Sequence, residues 1–138
     1  MNAVSVMDCS AVTAVLLNEP EGEQIEAQLT AGASGECAIR VPALFWSEVV
    51  NVLLSAERRR RITRAEAVNL RGEVDVLPVA TDTQFDPLTR RRIHELALAH
   101  KLTAYDATYL ELAERFGARL KTLDPDLLAL RGDYPWIE

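Results

Sequence analysis

The chain has 138 residues, 49% hydrophobic and 26% charged, which suits one globular domain over residues 1–138. Its net charge of −6 argues against a protein that coats nucleic acid non-specifically. No apolar run approaches the length of about 18 residues that spans a membrane. The N-terminal residues lack the basic segment and cleavage site of a signal peptide, and Cys9 and Cys37 lack metal or redox spacing. We therefore expect a reduced, cytoplasmic protein that is not bound to a membrane.

Short apolar runs alternate with helical periodicity along the chain. The runs predict strands at Val4–Met7, Cys37–Val41, Val74–Val79 and Ala118–Leu123, with a terminal strand at Tyr134–Ile137. The periodic segments predict helices over Ser10–Leu17, Gly22–Leu29, Ala43–Glu57, Thr63–Gly72, Asp86–His100, Thr103–Phe116 and Pro125–Leu130. Because strands and helices alternate with short connections, we predict an α/β fold with a mainly parallel sheet.

Several helix ends carry their own sequence signals. Thr103 and Asp106 have the spacing of a capping box, and Thr63 with Glu66 repeats it. Gly117 is placed to end the helix that Thr103 begins. An acid in the first turn of a helix is also favoured by the helix dipole, so capping alone could explain Asp106.

Four acids stand at the ends of predicted elements or on a helix beside apolar positions. Asp8 follows the first strand, Asp124 follows the strand that contains Thr122, Asp106 begins a helix, and Glu48 lies on the helix over 43–57. Each acid alone has a structural explanation, as a cap or a surface charge. However, the carboxyl ends of parallel strands form the ligand-binding edge of such a sheet. We therefore expect Asp8 and Asp124 to project toward one crevice.

Several carboxylates at one crevice repel each other unless a cation neutralises them. Oxygen ligands favour Mg²⁺ or Mn²⁺ over zinc, and we interpret His94 and His100 as surface or packing residues. A carboxylate-held Mg²⁺ accepts phosphate oxygens as further ligands and assists phosphodiester hydrolysis. A Gly-rich phosphate loop and a G-x-S-x-G elbow are both missing from the sequence, which leaves nucleotide triphosphate hydrolysis and serine catalysis unsupported.

Four segments of the chain together carry a family resemblance. They are Asp8-Cys9-Ser10 with the trailing Leu17-Asn18-Glu19-Pro20-Glu21-Gly22, then Glu48-Val49-Val50-Asn51, Tyr105-Asp106-Ala107-Thr108-Tyr109-Leu110 and Thr122-Leu123-Asp124-Pro125-Asp126-Leu127-Leu128. In this order and spacing, they make the chain resemble the PIN-domain ribonucleases over nearly its whole length. The closest resemblance is to the VapC-type toxins of bacterial toxin–antitoxin pairs.

The resemblance implies a PIN-like three-layer α/β/α domain and a Mg²⁺- or Mn²⁺-dependent endoribonuclease. It assigns metal-ligating and catalytic roles to Asp8, Glu48, Asp106 and Asp124, and supporting roles to Ser10, Asn51 and Thr122. Asp126 could share or take the role of Asp124, because it lies only two residues away. The resemblance also implies an RNA substrate, a homodimer and a cognate antitoxin protein.

Arginine dominates the positive charge of the chain. One block comprises Arg58, Arg59, Arg60, Arg61 and Arg64, and a second comprises Arg90, Arg91 and Arg92. Arginine suits bidentate recognition of phosphate, so the first block could contact RNA or acidic groups of an antitoxin. A solvated helix face explains the same pattern.

Two other functions remain open. The first is a metal-dependent phosphohydrolase that uses Asp8 as a covalent nucleophile, although that chemistry commonly places a second acid where this chain has Ser10. The second is a binding module whose acids hold a metal or an Arg-bearing partner without cutting RNA.

Overall fold

A computed structural model describes residues 3–138, so the first two residues of the predicted domain lie outside the described residues. The strands are β1 Ala3–Met7, β2 Cys37–Pro42, β3 Ala80–Asp82 and β4 Arg119–Lys121. They form one sheet in the order β3-β2-β1-β4, and every neighbouring pair is parallel. The predicted parallel α/β fold is confirmed.

Helices cover both faces of this sheet. They are α1 Cys9–Leu16, α2 Gly22–Ala33, α3 Leu44–Arg58, α4 Arg64–Asp75, α5 Pro87–His100, α6 Ala104–Phe116 and α7 Pro125–Leu128, followed by a 3₁₀ turn at Ala129–Gly132. Ile39 of β2 packs close to Gly32 of α2, whereas the next residue, Arg40, lies over the ring of Phe116 in α6, 4.4 Å from its centre. Since adjacent strand residues point to opposite faces, α2 and α6 lie on opposite sides of the sheet. This is the expected three-layer arrangement.

Local chemistry fixes most of the helix ends. Thr63 and Glu66 form the reciprocal capping box, and the Thr103 hydroxyl accepts the Asp106 amide at 3.1 Å. Asp86 caps α5, whose first residue is proline. Gly117 ends α6 at φ 58°, a left-handed conformation that glycine adopts without steric penalty. Among residues 3–138, no helix has the length and apolarity needed to cross a bilayer.

The predicted strand Val74–Val79 is wrong. Val74 is buried seven residues after buried Ala67, so the apolar face of α4 continues to Asp75 instead of ending at Gly72. Pro78, which lacks an amide proton, precedes the short strand β3. The β-branched valines of this segment therefore gave a misleading strand signal.

The predicted terminal strand is only partly present. Within the described residues, its contact with the sheet is one bridge between Leu120 and Ile137, extended by hydrogen bonds from the Leu120 and Thr122 amides to the carbonyls of Trp136 and Glu138. This short segment covers the outer edge of β4. It closes an edge that would otherwise be open to pairing with another strand.

Candidate metal centre

Asp8 is the most buried acid of the candidate site. It follows β1 directly and is 4% exposed. One of its carboxylate oxygens accepts hydrogen bonds from the Ser10 hydroxyl at 2.6 Å and the Ala11 amide at 3.1 Å, which caps α1. The other oxygen accepts from the Thr122 hydroxyl. Burial raises the pKa of Asp8, and these three hydrogen bonds oppose that rise.

Ser10 and Thr122 connect Asp8 to the segment between β4 and α7. Each hydroxyl donates to Asp8 and accepts a backbone amide of that segment: Ser10 accepts from Leu123 and Thr122 from Asp124, both at 2.9 Å. Because a hydroxyl can donate and accept at once, two side chains tie the ends of β1 and β4 together. Two of the three predicted supporting residues, Ser10 and Thr122, therefore contact Asp8.

Asp106, Asp124 and Asp126 form the tightest acidic group. One oxygen from each carboxylate lies within 4.8 Å of the others. Asp106 is in the first turn of α6, and Asp124 caps α7 by accepting the Asp126 amide at 2.8 Å. Burial, followed by the charges of Asp124 and Asp8, raises the pKa of Asp106 to about 6. The predicted pair Asp106 and Asp124 thus lies together, with Asp126 beside it.

Glu48 approaches the same site from α3. Its carboxylate accepts a 2.5 Å hydrogen bond from the Tyr109 hydroxyl. Burial raises the pKa of Glu48, the Tyr109 hydrogen bond lowers it, and the charges of Asp8, Asp106 and Asp124 raise it further. These couplings place Glu48 among the other three acids, although it lies outside the tightest group.

Tyr109 is a site residue that the sequence patterns did not single out. It is 2% exposed and stands three residues after Asp106, so both project from neighbouring positions on α6. That spacing was the available signal. It was hidden because a tyrosine in an apolar helix usually indicates core packing.

We define the acidic cluster as Asp8, Glu48, Asp106, Asp124 and Asp126. No basic side chain of residues 3–138 forms an ion pair with it. Carboxylates that face one another without a counter-charge destabilise the folded chain. Their hard oxygen donors, and the close spacing of Asp106, Asp124 and Asp126, fit a divalent cation such as Mg²⁺ or Mn²⁺.

Other candidate residues lie outside this cluster. Asn51 is exposed one turn after Glu48 on α3, and the arginine block lies at the far end of that helix. Cys9 is a buried packing residue, since burial raises the pKa of its thiol to about 12. His100 contacts the Tyr134 hydroxyl at 2.8 Å, and His94 is exposed, which agrees with packing and surface roles.

A second group of carboxylates, the Arg115 network, lies farther along α6. Arg115 contacts Asp82 at 2.7 Å and Glu111 at 2.8 Å. These two hydrogen-bonded partners raise the pKa of Arg115. Both of its acids therefore have a counter-charge within the protein.

Comparisons with known proteins agree with this fold. A sequence model of the PIN domain family matches residues 5–132. Ribonuclease VapC3 of Pyrobaculum aerophilum is 32% identical over 122 residues, which cover 88% of this chain and 90% of the relative. Ribonuclease VapC1 of Mycobacterium tuberculosis is 28% identical over 125 residues, or 91% and 92% of the two chains. The crystal structure of PAE2754 from Pyrobaculum aerophilum matches with a TM-score of 0.70 at 25% identity, covering 94% of this chain and 86% of that one.

Proposed function

The chain belongs to the PIN-domain family, and from that premise we propose that it is a single-domain, divalent-metal-dependent endoribonuclease and the toxin of a toxin–antitoxin pair. The observation that carries the proposal is the acidic cluster, in which Asp106, Asp124 and Asp126 lie together, Asp8 and Glu48 are coupled to them by charge, and none of the five has an ion-pair partner in residues 3–138. Two relatives that align with about nine-tenths of the chain bear the name ribonuclease. The carboxyl edge of the parallel sheet is also the expected ligand site.

The residues proposed to hold Mg²⁺ or Mn²⁺ are Asp8, Glu48, Asp106 and Asp124. When bound, the cation supplies Lewis-acid polarisation of the phosphodiester and lowers the pKa of coordinated water. Asp126 is the additional acid beside Asp106 and Asp124. Its exposure and its position at the rim of the cluster suit a weaker contribution than that of Asp124.

The remaining residues orient these acids. Ser10 and Thr122 donate to both oxygens of Asp8 and favour its charged form, which opposes the effect of burial. Tyr109 does the same for one oxygen of Glu48. The N-termini of α1 and α6 add partial positive charge at Asp8 and Asp106. The same partial charge also stabilises a substrate phosphate bound there.

The alternative in which Asp8 acts as a covalent nucleophile is opposed by its surroundings. Asp8 is 4% exposed, and both of its oxygens already accept hydrogen bonds. A nucleophile must itself reach the phosphorus atom of the substrate, whereas a metal ligand needs only one free lone pair directed at the cation. The non-catalytic alternative remains, and cleavage measurements decide it.

The proposal is tested by incubating the chain with structured RNA in Mg²⁺, Mn²⁺ or EDTA. We expect cleavage with either metal and none in EDTA. Asp106→Asn should abolish cleavage while the variant stays folded, as judged by circular dichroism. The matched control is Asp75→Asn, the same change at an exposed acid at the end of α4, which should cut like the wild type. Equal cleavage by Asp106→Asn and the wild type would refute the proposed site.

The family also leads us to propose a cytoplasmic homodimer and an antitoxin that covers the acidic cluster. An arginine of the antitoxin could pair with these carboxylates and displace the cation. Light scattering after size exclusion should give twice the mass of one chain. A purely monomeric result would remove the dimer from the proposal without affecting the nuclease.

A further inference from the structure

The arginine block does not form one uniform patch. Arg59 and Arg61 line a pocket of about 180 Å³ at the C-terminal end of α3, whereas Arg64 lines a separate groove between α3 and α4 and lies 3.8 Å from Glu57. Arg58 and Arg60 belong to neither lining. The structure therefore separates two arginines from their sequence neighbours.

The backbone at the end of α3 explains this separation. Arg59 caps the helix, and Arg60 then adopts a left-handed conformation at φ 59°. The chain reverses there, and the Arg61 amide donates to the Ala56 carbonyl at 2.9 Å. As a result, the residues on either side of Arg60 reach one pocket. Two cations at a helix C-terminus are also compatible with the helix dipole.

The polar lining of this pocket has the chemistry of phosphate recognition. Besides Arg59 and Arg61 it is lined by Ser55 and Asn51, whose side chains carry a hydroxyl and an amide. Guanidinium groups bind phosphate through bidentate hydrogen bonds, which hydroxyl and amide donors supplement. Arg61 also lies 3.6 Å from the partly exposed Glu19. A solvent-exposed pair of this kind is weak, so phosphate can compete for the guanidinium.

The pocket is aligned with the acidic cluster along α3. Glu48, Asn51, Ser55 and Arg59 are separated by three, four and four residues, so they form one stripe of the helix. At 1.5 Å per residue, Glu48 and Arg59 are about 16 Å apart along the helix axis. This length corresponds to a few nucleotides of an extended strand. One end of the stripe is acidic and the other end is basic.

We propose that Arg59 and Arg61, supported by Asn51 and Ser55, form a subsite for a backbone phosphate of single-stranded RNA. The phosphate belongs to the strand that is cut at the acidic cluster, a few nucleotides from the scissile bond, so the inference rests on the proposed endoribonuclease function. The subsite attracts the negatively charged RNA strand, which the acidic cluster cannot do. It holds the strand along α3, and it contributes to binding but not to bond cleavage.

The test compares two double variants with the same change in charge. Arg59→Gln/Arg61→Gln removes the subsite, and Arg90→Gln/Arg91→Gln removes two exposed arginines from α5. Cleavage of a fluorescent single-stranded RNA in Mg²⁺ is measured over a range of KCl concentrations. For the subsite variant, we expect KM to rise about tenfold with kcat nearly unchanged. The salt dependence of kcat/KM should weaken by about 0.7 in log–log slope for each phosphate that the variant no longer neutralises. The α5 variant should match the wild type.

A second measurement separates this inference from the proposed function. RNA binding is followed by fluorescence anisotropy in EDTA, where metal-dependent cleavage does not occur, and should show the same loss for the subsite variant. If the wild type cuts RNA and the subsite variant has the same KM and RNA affinity as the α5 variant, the proposed subsite is wrong. If the wild type cuts no RNA but the affinity loss persists, the nuclease proposal fails and the phosphate subsite stands.

Two further variants cover the remaining outcomes. Arg58→Gln/Arg60→Gln should weaken binding less than the subsite variant, and an equal loss would show that the whole block acts without a pocket. If Arg59→Gln/Arg61→Gln does not fold, Arg59→Lys/Arg61→Lys keeps the charge and removes the bidentate geometry. An unchanged KM in that folded variant would overturn the proposed bidentate recognition.

Discussion

The two ends of α6 use carboxylates in opposite ways. At its start, Asp106 belongs to the acidic cluster, in which burial and neighbouring acids raise its pKa to about 6. Further along, Glu111 is 5% exposed but is paired with Arg115, which also contacts Asp82. The first group has no counter-charge among residues 3–138, whereas the two acids of the second group share one guanidinium.

The presence or absence of a counter-charge distinguishes the acids proposed to bind metal from the acids that stabilise the fold more clearly than burial does. Acids paired with an arginine maintain the fold whether or not a ligand is present. Acids that repel one another lower the stability of the fold until a cation binds. A metal site whose ligands are already in place before the metal binds is expected to show this cost. The comparison can be tested at either end of α6.

The largest effect should come from breaking the acidic cluster. Asp124→Asn removes a charge beside Asp106 and should lower kcat/KM for RNA cleavage by about 10²- to 10³-fold. Asp126→Asn should have a smaller effect, because Asp126 is exposed at the rim. Glu111→Gln removes a carboxylate from the Arg115 network and should leave cleavage by the folded variant within about twofold. Steady-state kinetics in Mg²⁺ measures all three, and a loss with Glu111→Gln as large as that with Asp124→Asn would remove the distinction between the two groups.

The next effect should come from breaking the Arg115 network. Arg115→Met leaves Glu111 and Asp82 without their cation and should lower the free energy of unfolding by about 3 kcal/mol. Arg92→Met is the control, because it breaks the more exposed pair with Glu114 and should change stability by less than about 1 kcal/mol. Urea denaturation measures both variants. Similar losses of unfolding free energy in the two variants would show that the Arg115 network contributes no more to stability than the exposed pair.

Removing one hydroxyl beside Glu48 should have an intermediate effect. Tyr109→Phe keeps the buried ring but deletes the donor to Glu48, so Mn²⁺ affinity should fall about 10- to 100-fold. The same deletion raises the pKa of Glu48, so metal binding should begin at higher pH than in the wild type. Calorimetric titration of Mn²⁺ at several pH values checks both expectations. Tyr105→Phe, at an exposed tyrosine, should bind like the wild type, and unaltered binding by Tyr109→Phe would exclude it as a positioning residue.

The smallest effect should be the pH dependence of stability. The pKa of Asp106 rises from 3.8 to about 6 on folding, so the folded state holds the proton more tightly than the unfolded state. Without metal, the wild type therefore loses stability relative to Asp106→Asn as pH rises across that interval. Above it, Asp106→Asn should be more stable by about 1 kcal/mol, a figure discounted for solvent screening.

Denaturation in EDTA between pH 4 and 8 measures this difference. Saturating Mg²⁺ should reverse the order, because only the wild type retains the full set of acids for binding. A difference that does not change with pH would mean that folding does not raise the pKa of Asp106, either by burial or by the neighbouring acids.

The features that the sequence predicted are those set by local chemistry. Helix boundaries are set within a few residues by Thr63 with Glu66, by Thr103 with Asp106, and by Gly117. Asp8 and Asp124 were expected to approach each other, since the ends of parallel strands meet at one edge. The structure brings the two near enough for the charge of Asp124 to raise the pKa of Asp8.

The features that the sequence did not predict depend on contacts between distant segments. Tyr109 and Glu48 are 61 residues apart, and a tyrosine in an apolar helix gives no sign of a polar partner. Arg115 looks like a cation in the last turn of α6, and its partner Asp82 ends the strand that was misplaced at Val74–Val79. The error in one strand thus hid a charge network.

The hydrogen bond from Thr122 to Asp8 also has a consequence for protein synthesis. It joins residues 114 positions apart, and the bond from Leu123 to Ser10 spans a similar length. Contacts this distant form late, after the intervening chain has been made and has folded. A nascent chain still attached to the ribosome before Thr122 emerges has Asp8 without one of its donors and without the acids of α7. If the chain cuts RNA as proposed, it acts on RNA in the ribosome's vicinity only after the segment from Thr122 onward has been made and has left the ribosome.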